Sequence, residues 1–516
     1  MTSRKTPTPL LICVCIIYRK HIDIMQCPAF MGYHWSDAVF PRKNLIELDR
    51  PQNLSRLSQS HWMKEAEPLE PSTRPLNGKK FADVAIIGGG YVGLWTALTI
   101  KAEHPEARVV VLERDICGGG ASGRNGGFAM SWWPKISTLM GIADKDEAIR
   151  LAVASEQAIS ELGQFCQDNG IDAHFVQGGW LWTATSEFQR DAWRDTLHAC
   201  AKIGKRPFQN LSDEDVSRRT GSRVHLAGVY EQSNATVQPA FLARGLRKVA
   251  LQRGVEIYEN TAVVSLSTNA PSILMTAHGE VQAQAVVLAN NAWAAAIPEL
   301  GQLITPVNST IIATEPVPER LREIGWTGGE SITDSQLMVG YYRTTRDGRI
   351  VYGKGTGVIQ YQSVIGECFS QSPEATALTL ADFRRSFPML RDVKIDDQWA
   401  GPIDRTYDSL PVFGTLRDAG HISYGVGWSG NGVAPSRIGG KILSALALGL
   451  RNEWSGCALV NRSSRKFPPE PFRFVGGSLV RNAVLRKEQT EALGKMPHWW
   501  DVKFAGLAPA GLEDKS

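Results

Sequence analysis

Between residues 83 and 113, apolar and polar positions change in blocks rather than residue by residue. Asp83-Val84-Ala85-Ile86-Ile87 is a short apolar run, Gly88-Gly89-Gly90 interrupts it, and an apolar stretch starts at Tyr91. Arg108-Val109-Val110-Val111-Leu112-Glu113 is a second short run. Apolar runs of this length, bounded by turn residues, predict strands buried on both faces. The block therefore reads as strand, tight turn, helix, strand. Further on, Ile149, Ala152, Ala158, Ile159, Leu162 and Phe165 fall at helical spacing and predict a helix over 145–169, stopped by Gly170. Residues 172–185 read as extended with a bend at Gly178-Gly179, and 188–201 as helix. These elements break the βαβ rhythm, so a second domain is expected to begin near residue 129.

Val237-Gln238-Pro239 opens a helix with Pro in its first turn, running to Arg253 before Gly254. Strands are expected at 255–258, 261–266, 272–277 and 283–289. The patterns over 304–316 and 332–354 are β-like, and Asp347-Gly348 is a hairpin signal. Ile422 to Val426 predicts a strand, Gly427 to Val433 a glycine loop, and Ala434 to Leu450 a helix. The chain after Arg451, rich in Pro and Lys, is expected to wrap the surface. The fold class is α/β with mixed α+β character.

Chemistry enters at the glycines. Gly88, Gly90 and Gly93 satisfy G-x-G-x-x-G between a strand and a helix. Gly88 makes the sharp turn, Gly90 admits a pyrophosphate to the backbone, and Gly93 lets helix and strand pack closely. Glu113 ends the second strand 20 residues later, where a carboxylate reaches a ribose hydroxyl. The implied ligand is a dinucleotide on a helix N-terminus. A second run, Gly118 to Gly127, carries Ser122, Arg124, Asn125 and Gly126. A guanidinium there suits phosphate oxygens. Cys117 opens the run and reads as an inert small residue rather than a point of covalent ligand attachment. The loop Gly430-Asn431-Gly432-Val433 precedes a helix and is a second candidate cradle. In the predicted hairpin, Tyr341, Tyr342 and Tyr352 offer aromatic walls, and Arg343 and Lys354 offer cations, for a substrate pocket. A solvated hairpin with cross-strand aromatic pairs reads equally well from those residues. His174 and His225 read as structural.

Composition narrows the class. With 56 basic and 52 acidic residues the net charge is +4, too balanced for a nucleic-acid partner. The eight cysteines form no C-x-x-C pair and the ten histidines no H-E-x-x-H, so neither a disulfide framework nor a metal site is expected. Pro9 to Tyr18 is apolar but too short to span a bilayer as a helix. It reads as an extension ahead of a start at Met25 or Met31, with a signal or anchor as the alternative, and the expected location is cytoplasmic. Residues 66–80, rich in Pro and charge, read as a linker.

The glycine triplet, Glu113, Ala121 to Gly127, the helix from Val237 and the loop Gly427 to Val433 together resemble the D-amino-acid-oxidase superfamily of FAD-dependent oxidoreductases. The likeness runs from about Trp62 to Leu450. Gly123-Arg124-Asn125-Gly126-Gly127 and Phe128 to Trp133 are most similar to the γ-glutamylputrescine oxidase-like branch. Phe467 to Phe474 and Ala505 to Gly511 resemble the tail of aminophosphonate oxidoreductases. The resemblance implies a Rossmann-like FAD-binding domain discontinuous over 81–128, 231–300 and 400–450. It also implies an interleaved substrate domain on a mixed or antiparallel sheet over 129–230 and 301–399, with extension 1–80 and tail 451–516 outside both.

The cofactor implied is FAD, held at its ADP half by Gly88, Gly90, Gly93 and Glu113. Val263 would meet the adenine through its backbone, Ser122 and Asn125 the flavin or pyrophosphate, and Gly430 to Val433 the pyrimidine ring. The implied chemistry is oxidation of a C–N bond in a small amine, amino acid or aminophosphonate, by hydride transfer to flavin N5, with O2 as acceptor. A quinone or carrier protein as acceptor, or flavin binding without turnover, are the alternatives. No side chain stands out as a general base. Arg343, with Tyr342 beside it, is the expected holder of a substrate carboxylate or phosphonate.

Overall fold

Three strands, two of them leading into predicted ligand loops, end side by side. In the computed structural model, which describes residues 44–48, 60–66, 71–326 and 328–511, Gly78–Ile87 pairs in parallel with Val109–Leu112 on one side and Gly279–Leu288 on the other. Gly279–Leu288 pairs in parallel with Ala419–Val426. Glu256–Tyr258 extends the parallel set beyond Val109–Leu112. The registers Ile87 with Leu288 and Leu288 with Tyr424 bring the carboxyl ends of three strands to one edge. There the chain leaves through Gly88, through Ala289 to Asn291, and through Gly427 to Gly432. A crevice outside the carboxyl ends of parallel strands is where doubly wound sheets bind ligands. On the side of Gly279–Leu288 away from Gly78–Ile87, its first half pairs with the antiparallel strands Ser272–Thr276, Val263–Ser267 and Leu45–Glu47, and its second half with Ala419–Val426, which Val412–Leu416 joins antiparallel; Glu256–Tyr258 is the opposite edge of this nine-stranded sheet.

The helix Tyr91–Glu103 is buried along most of its length and packs on the helix Pro435–Ala447. Gly440 makes the approach possible: a Cβ there would lie 2.8 Å from the Trp95 backbone. A second, eight-stranded sheet runs in the order Ile395–Arg405, Thr305–Thr314, Ile350–Lys354, Gly340–Thr344, Ser331–Asp334, Trp180–Ala184, Ala227–Glu231, Phe208–Asn210. All of its pairs are antiparallel except Ser331–Asp334 with Trp180–Ala184. One face of it packs a cluster of Trp326, Tyr342, Tyr352, Phe383 and Phe387. Leu45–Ser516 forms one unit that contains both sheets.

The expected helix over 188–201 is a 3₁₀ turn at Glu187–Gln189 followed by a helix at Arg194–Lys202. The larger departure is the tail. Instead of an irregular wrap it forms two helices, Phe472–Ala492 and Trp499–Ala505. The first buries only Ala483, Val484, Glu488 and Glu491, so it shows little of the apolar stripe by which a helix is read from sequence. Pro9 to Tyr18, Met25 and Met31 lie outside the described residues. Among the described residues no helix is long and apolar enough to cross a membrane.

Candidate active site

The loops at the sheet edge enclose a cavity of about 980 Å³. Gly88 sits at φ +111°, and a Cβ there would come within 2.5 Å of the Ala289 carbonyl oxygen, so an L side chain is excluded on two counts. Gly93 does not line the cavity. A Cβ on it would lie 2.0 Å from the Gly88 carbonyl oxygen, so its absence is what lets the helix sit directly on the turn. Gly90 faces Ser122, whose Oγ accepts from the Tyr91 N–H at 2.9 Å. The second glycine loop thus caps the first helix.

Glu113 lines the cavity, and its carboxylate accepts from the N–H of Gly89 at 2.7 Å and of Asp115 at 2.9 Å. Burial pushes its pKa up to about 7. The second loop is closed by Asn125. Its Nδ2 donates to the carbonyls of Ala121 and Ser122, and its Oδ1 accepts from the Gly127 N–H. Arg124 also lines the cavity, but its Nε and Nη1 donate to the carbonyls of Gly119 and Ala400 at 2.9 and 3.0 Å. These two N–H groups tie the loop to the second sheet rather than pointing at a ligand.

Two carboxylates that sequence reasoning passed over hold the remaining loops. Glu259 is fully buried and accepts from the Cys117 and Thr73 N–H groups, Arg244 and Arg247. Burial opposes its ionisation, but those N–H groups and the two guanidiniums hold its carboxyl below the usual value. It pins the start of the second glycine run. Asp404, on the strand Ile395–Arg405, accepts from the N–H of Gly427 at 2.6 Å, of Trp428 at 3.1 Å, and from Asn291 Nδ2 at 3.0 Å. Burial pushes it up to about 7. Asp404 thereby joins the third glycine loop to the turn after Leu288. No local motif announces either residue, because their partners lie far away along the chain.

Gly126, Val263, Gly430, Asn431, Gly432 and Val433 all line the cavity. Four buried polar atoms on its wall have no partner among the described residues: Asn290 Oδ1, Asn291 Oδ1, Asn431 Oδ1 and Trp293 Nε1. Cys117 is completely buried and off the wall, and burial pushes its thiol pKa well up. The second sheet contributes Asn308, Ser309, Ile311 and Tyr341, facing Phe128, Met130 and Trp428. Tyr341 OH and Ser309 Oγ are 2.8 Å apart. The roof comes from the tail, including Phe472, Val480, Phe504 and Leu507.

The expected substrate residues Tyr342 and Arg343 are off this wall. Successive strand residues face opposite sides, so Tyr342 points away from Tyr341 into the aromatic cluster. Its hydroxyl binds the Thr220 carbonyl and His225 Nε2. Arg343 shares the face of Tyr341, but the Gly126-Gly127 loop crosses in front of it. Its Nη2 donates to the Val237 carbonyl at 2.7 Å, and its guanidinium lies 5.1 Å from the Trp62 ring centre. His225 is buried and bonded to Thr183 and Tyr342, and burial pushes its pKa down to about 3.

Glycine loops at the carboxyl edge of a parallel sheet, beside a mainly antiparallel sheet, are the architecture of a dinucleotide-binding oxidoreductase. Residues 83–446 match the DAO family, described as FAD dependent oxidoreductase, and the chain belongs to that family. It is 31% identical over 387 residues to a probable oxidoreductase OrdL of Haemophilus influenzae, covering 73% of this chain and 85% of that one. It is 29% identical over 399 residues to gamma-glutamylputrescine oxidoreductase of Escherichia coli, covering 76% and 89%. The crystal structure of glycine oxidase from Geobacillus kaustophilus superposes with a TM-score of 0.60 at 20% identity, over 72% of this chain and 96% of that one. The protein is thus an FAD-dependent oxidoreductase. The residues present fit the cofactor: FAD offers hydroxyl and imide N–H donors for the three unpaired asparagine oxygens, and acceptors for Trp293.

Proposed function

We propose that the protein oxidises the C–N bond of a small amine, amino acid or aminophosphonate, with O2 as electron acceptor. The observation that carries this reading is the one cavity in which three glycine loops meet a wall of Phe128, Met130, Tyr341 and Trp428. In this reading segments 81–128, 231–300 and 400–450 hold FAD, and 129–230 and 301–399 hold substrate. Gly88, Gly90 and Glu113 take the ADP half, with Gly93 supporting the turn, and Val263 meets the adenine. Ser122, Asn125 and Gly126 lie by the flavin or pyrophosphate, and Gly430, Asn431, Gly432 and Val433 by the pyrimidine ring. Arg124, on the cavity wall, supports its loop through the Gly119 and Ala400 carbonyls. FAD held by these loops would supply a two-electron acceptor for the donor's hydride; the donor, losing that hydride from carbon and a proton from nitrogen, would become an imine that water hydrolyses. The chain supplies an apolar wall that favours the uncharged amine, because desolvation penalises the ammonium form.

For an anionic substrate group we assign Arg405 in place of Arg343. Arg405 lines the cavity and donates to the Ala510 carbonyl. Burial pushes its pKa down to about 10, and no nearby carboxylate opposes that shift. Arg405 is half-buried and has no carboxylate partner among the described residues, which suits a substrate carboxylate or phosphonate. The test is an anaerobic titration of the purified holoenzyme with amines, amino acids and aminophosphonates. A donor should bleach the flavin absorbance and produce hydrogen peroxide in air. Arg405→Gln should raise KM for anionic donors and spare neutral ones. If no donor bleaches the flavin, the reading fails. A quinone or carrier protein as acceptor is the second reading, favoured by the exposed Phe472 and Leu507 at the cavity roof. Bleaching without peroxide would select it.

A further inference from the structure

Among the described residues, 17 large apolar side chains are exposed, and ten of them lie between Phe472 and Leu507. The other seven are scattered over the rest of the chain, as on any soluble protein. The ten are concentrated on the two tail helices and the turn between them, with Leu493 at 72%, Met496 at 80% and Trp499 at 57% exposure. The rings of Trp499 and Trp500 stack at 3.9 Å, Trp500 and Phe504 lie 6.0 Å apart, and Phe504 lines the cavity roof together with Phe472, Leu479 and Leu507. An exposed patch of this kind marks a contact surface.

Its charge is one-sided. The acids of the segment are withdrawn: Glu488 and Glu491 are buried, and Asp501 is paired with Arg486. Lys495 and Lys503 are exposed, and Lys503 Nζ lies 6.0 Å from the Trp500 ring centre. Tryptophan beside lysine, with apolar side chains around them, is the composition of a helix lying in a lipid interface. A second copy of the chain fits poorly, because a two-fold contact would bring these lysines towards one another.

We propose that this tail hairpin docks the protein onto the surface of an anionic lipid bilayer. Trp499, Trp500 and Met496 enter the headgroup boundary, and Lys495 and Lys503 meet the lipid phosphates, whose negative surface potential attracts them. Docking is peripheral, since neither tail helix is a candidate span. Phe504 and Leu507 belong to both the patch and the cavity wall, so the docked face carries the cavity roof with it.

The test is co-sedimentation of the full-length holoenzyme with vesicles of phosphatidylglycerol and phosphatidylcholine in equal parts, and with pure phosphatidylcholine, at low and high salt. Binding to the anionic vesicles, weakened by salt, is expected. The double variant Trp499→Ser, Trp500→Ser should lose about tenfold or more in vesicle affinity while keeping its flavin spectrum, which reports an intact fold. Lys495→Glu with Lys503→Glu should abolish the preference for phosphatidylglycerol. Three outcomes overturn the proposal: no sedimentation with either vesicle, undiminished binding of the tryptophan variant, or a wild-type dimer that this variant dissolves without any vesicle binding.

Discussion

Asp404→Asn separates the charge of Asp404 from its shape. The carboxylate accepts three hydrogen bonds, from Gly427 through one oxygen and from Trp428 and Asn291 through the other. A carboxamide of the same shape keeps one acceptor. Its oxygen serves the Trp428 and Asn291 donors, and its NH2 then faces the Gly427 N–H, which the wild type binds at 2.6 Å. Stranding one buried donor costs about 1–3 kcal/mol. If that cost falls on the glycine loop, the FAD dissociation constant rises by roughly 5- to 150-fold. The pH dependence is a second signature. Burial raises the Asp404 pKa to about 7, so below that pH the wild-type carboxyl carries a proton and has itself lost acceptor capacity. The gap between variant and wild type should therefore be widest above pH 7 and narrow below it. The assay is titration of apoprotein with FAD, followed by quenching of flavin fluorescence, at pH values on both sides of 7, with Tm measured in parallel. An FAD affinity within about twofold of wild type above pH 7, with unchanged Tm, would refute the role given to Asp404.

Tyr342→Phe removes hydrogen bonds to Thr220 and His225 in an aromatic cluster. It should lower stability by about 1–3 kcal/mol, read as Tm, with flavin spectrum and donor KM unchanged; a raised KM would return Tyr342 to the substrate wall. Cys117→Ala should keep full flavin content, and acid precipitation of the wild type should leave the flavin in the supernatant, because Cys117 is buried away from the cavity; flavin in the pellet would contradict this. Glu488 on the tail helix is buried, and burial lifts its carboxyl to about 7 against the opposing charge of Lys354. The folded protein therefore holds a proton that the unfolded chain releases near its ordinary value of 4.5. Stability is greatest below that value and falls as pH rises through 7, by about 3 kcal/mol. Glu488→Gln should flatten that slope in a series of thermal melts, and an unaltered slope would count against it.

The turn at Gly88 to Gly93 was legible from local pattern. Strand, triple glycine, helix and second strand are neighbours along the chain, so spacing alone locates Gly88, Gly90 and Gly93. Local pattern also marked three glycine loops and the hairpin around Asp347-Gly348, since turn chemistry is written in adjacent residues. Which side of that hairpin meets the cavity came from long-range packing. Strand alternation separates Tyr341 from Tyr342, but nothing local says which face is the wall, or that a distant loop screens Arg343. The same holds for Glu259 and Asp404, ordinary acids in the sequence, whose partners are backbone N–H groups and side chains brought in from other segments. It holds most for the tail: Phe472–Ala492 lacks a continuous apolar stripe because one side roofs a cavity and the other faces outward. Local pattern reports how a segment would bury itself, and cannot report what the rest of the chain places against it.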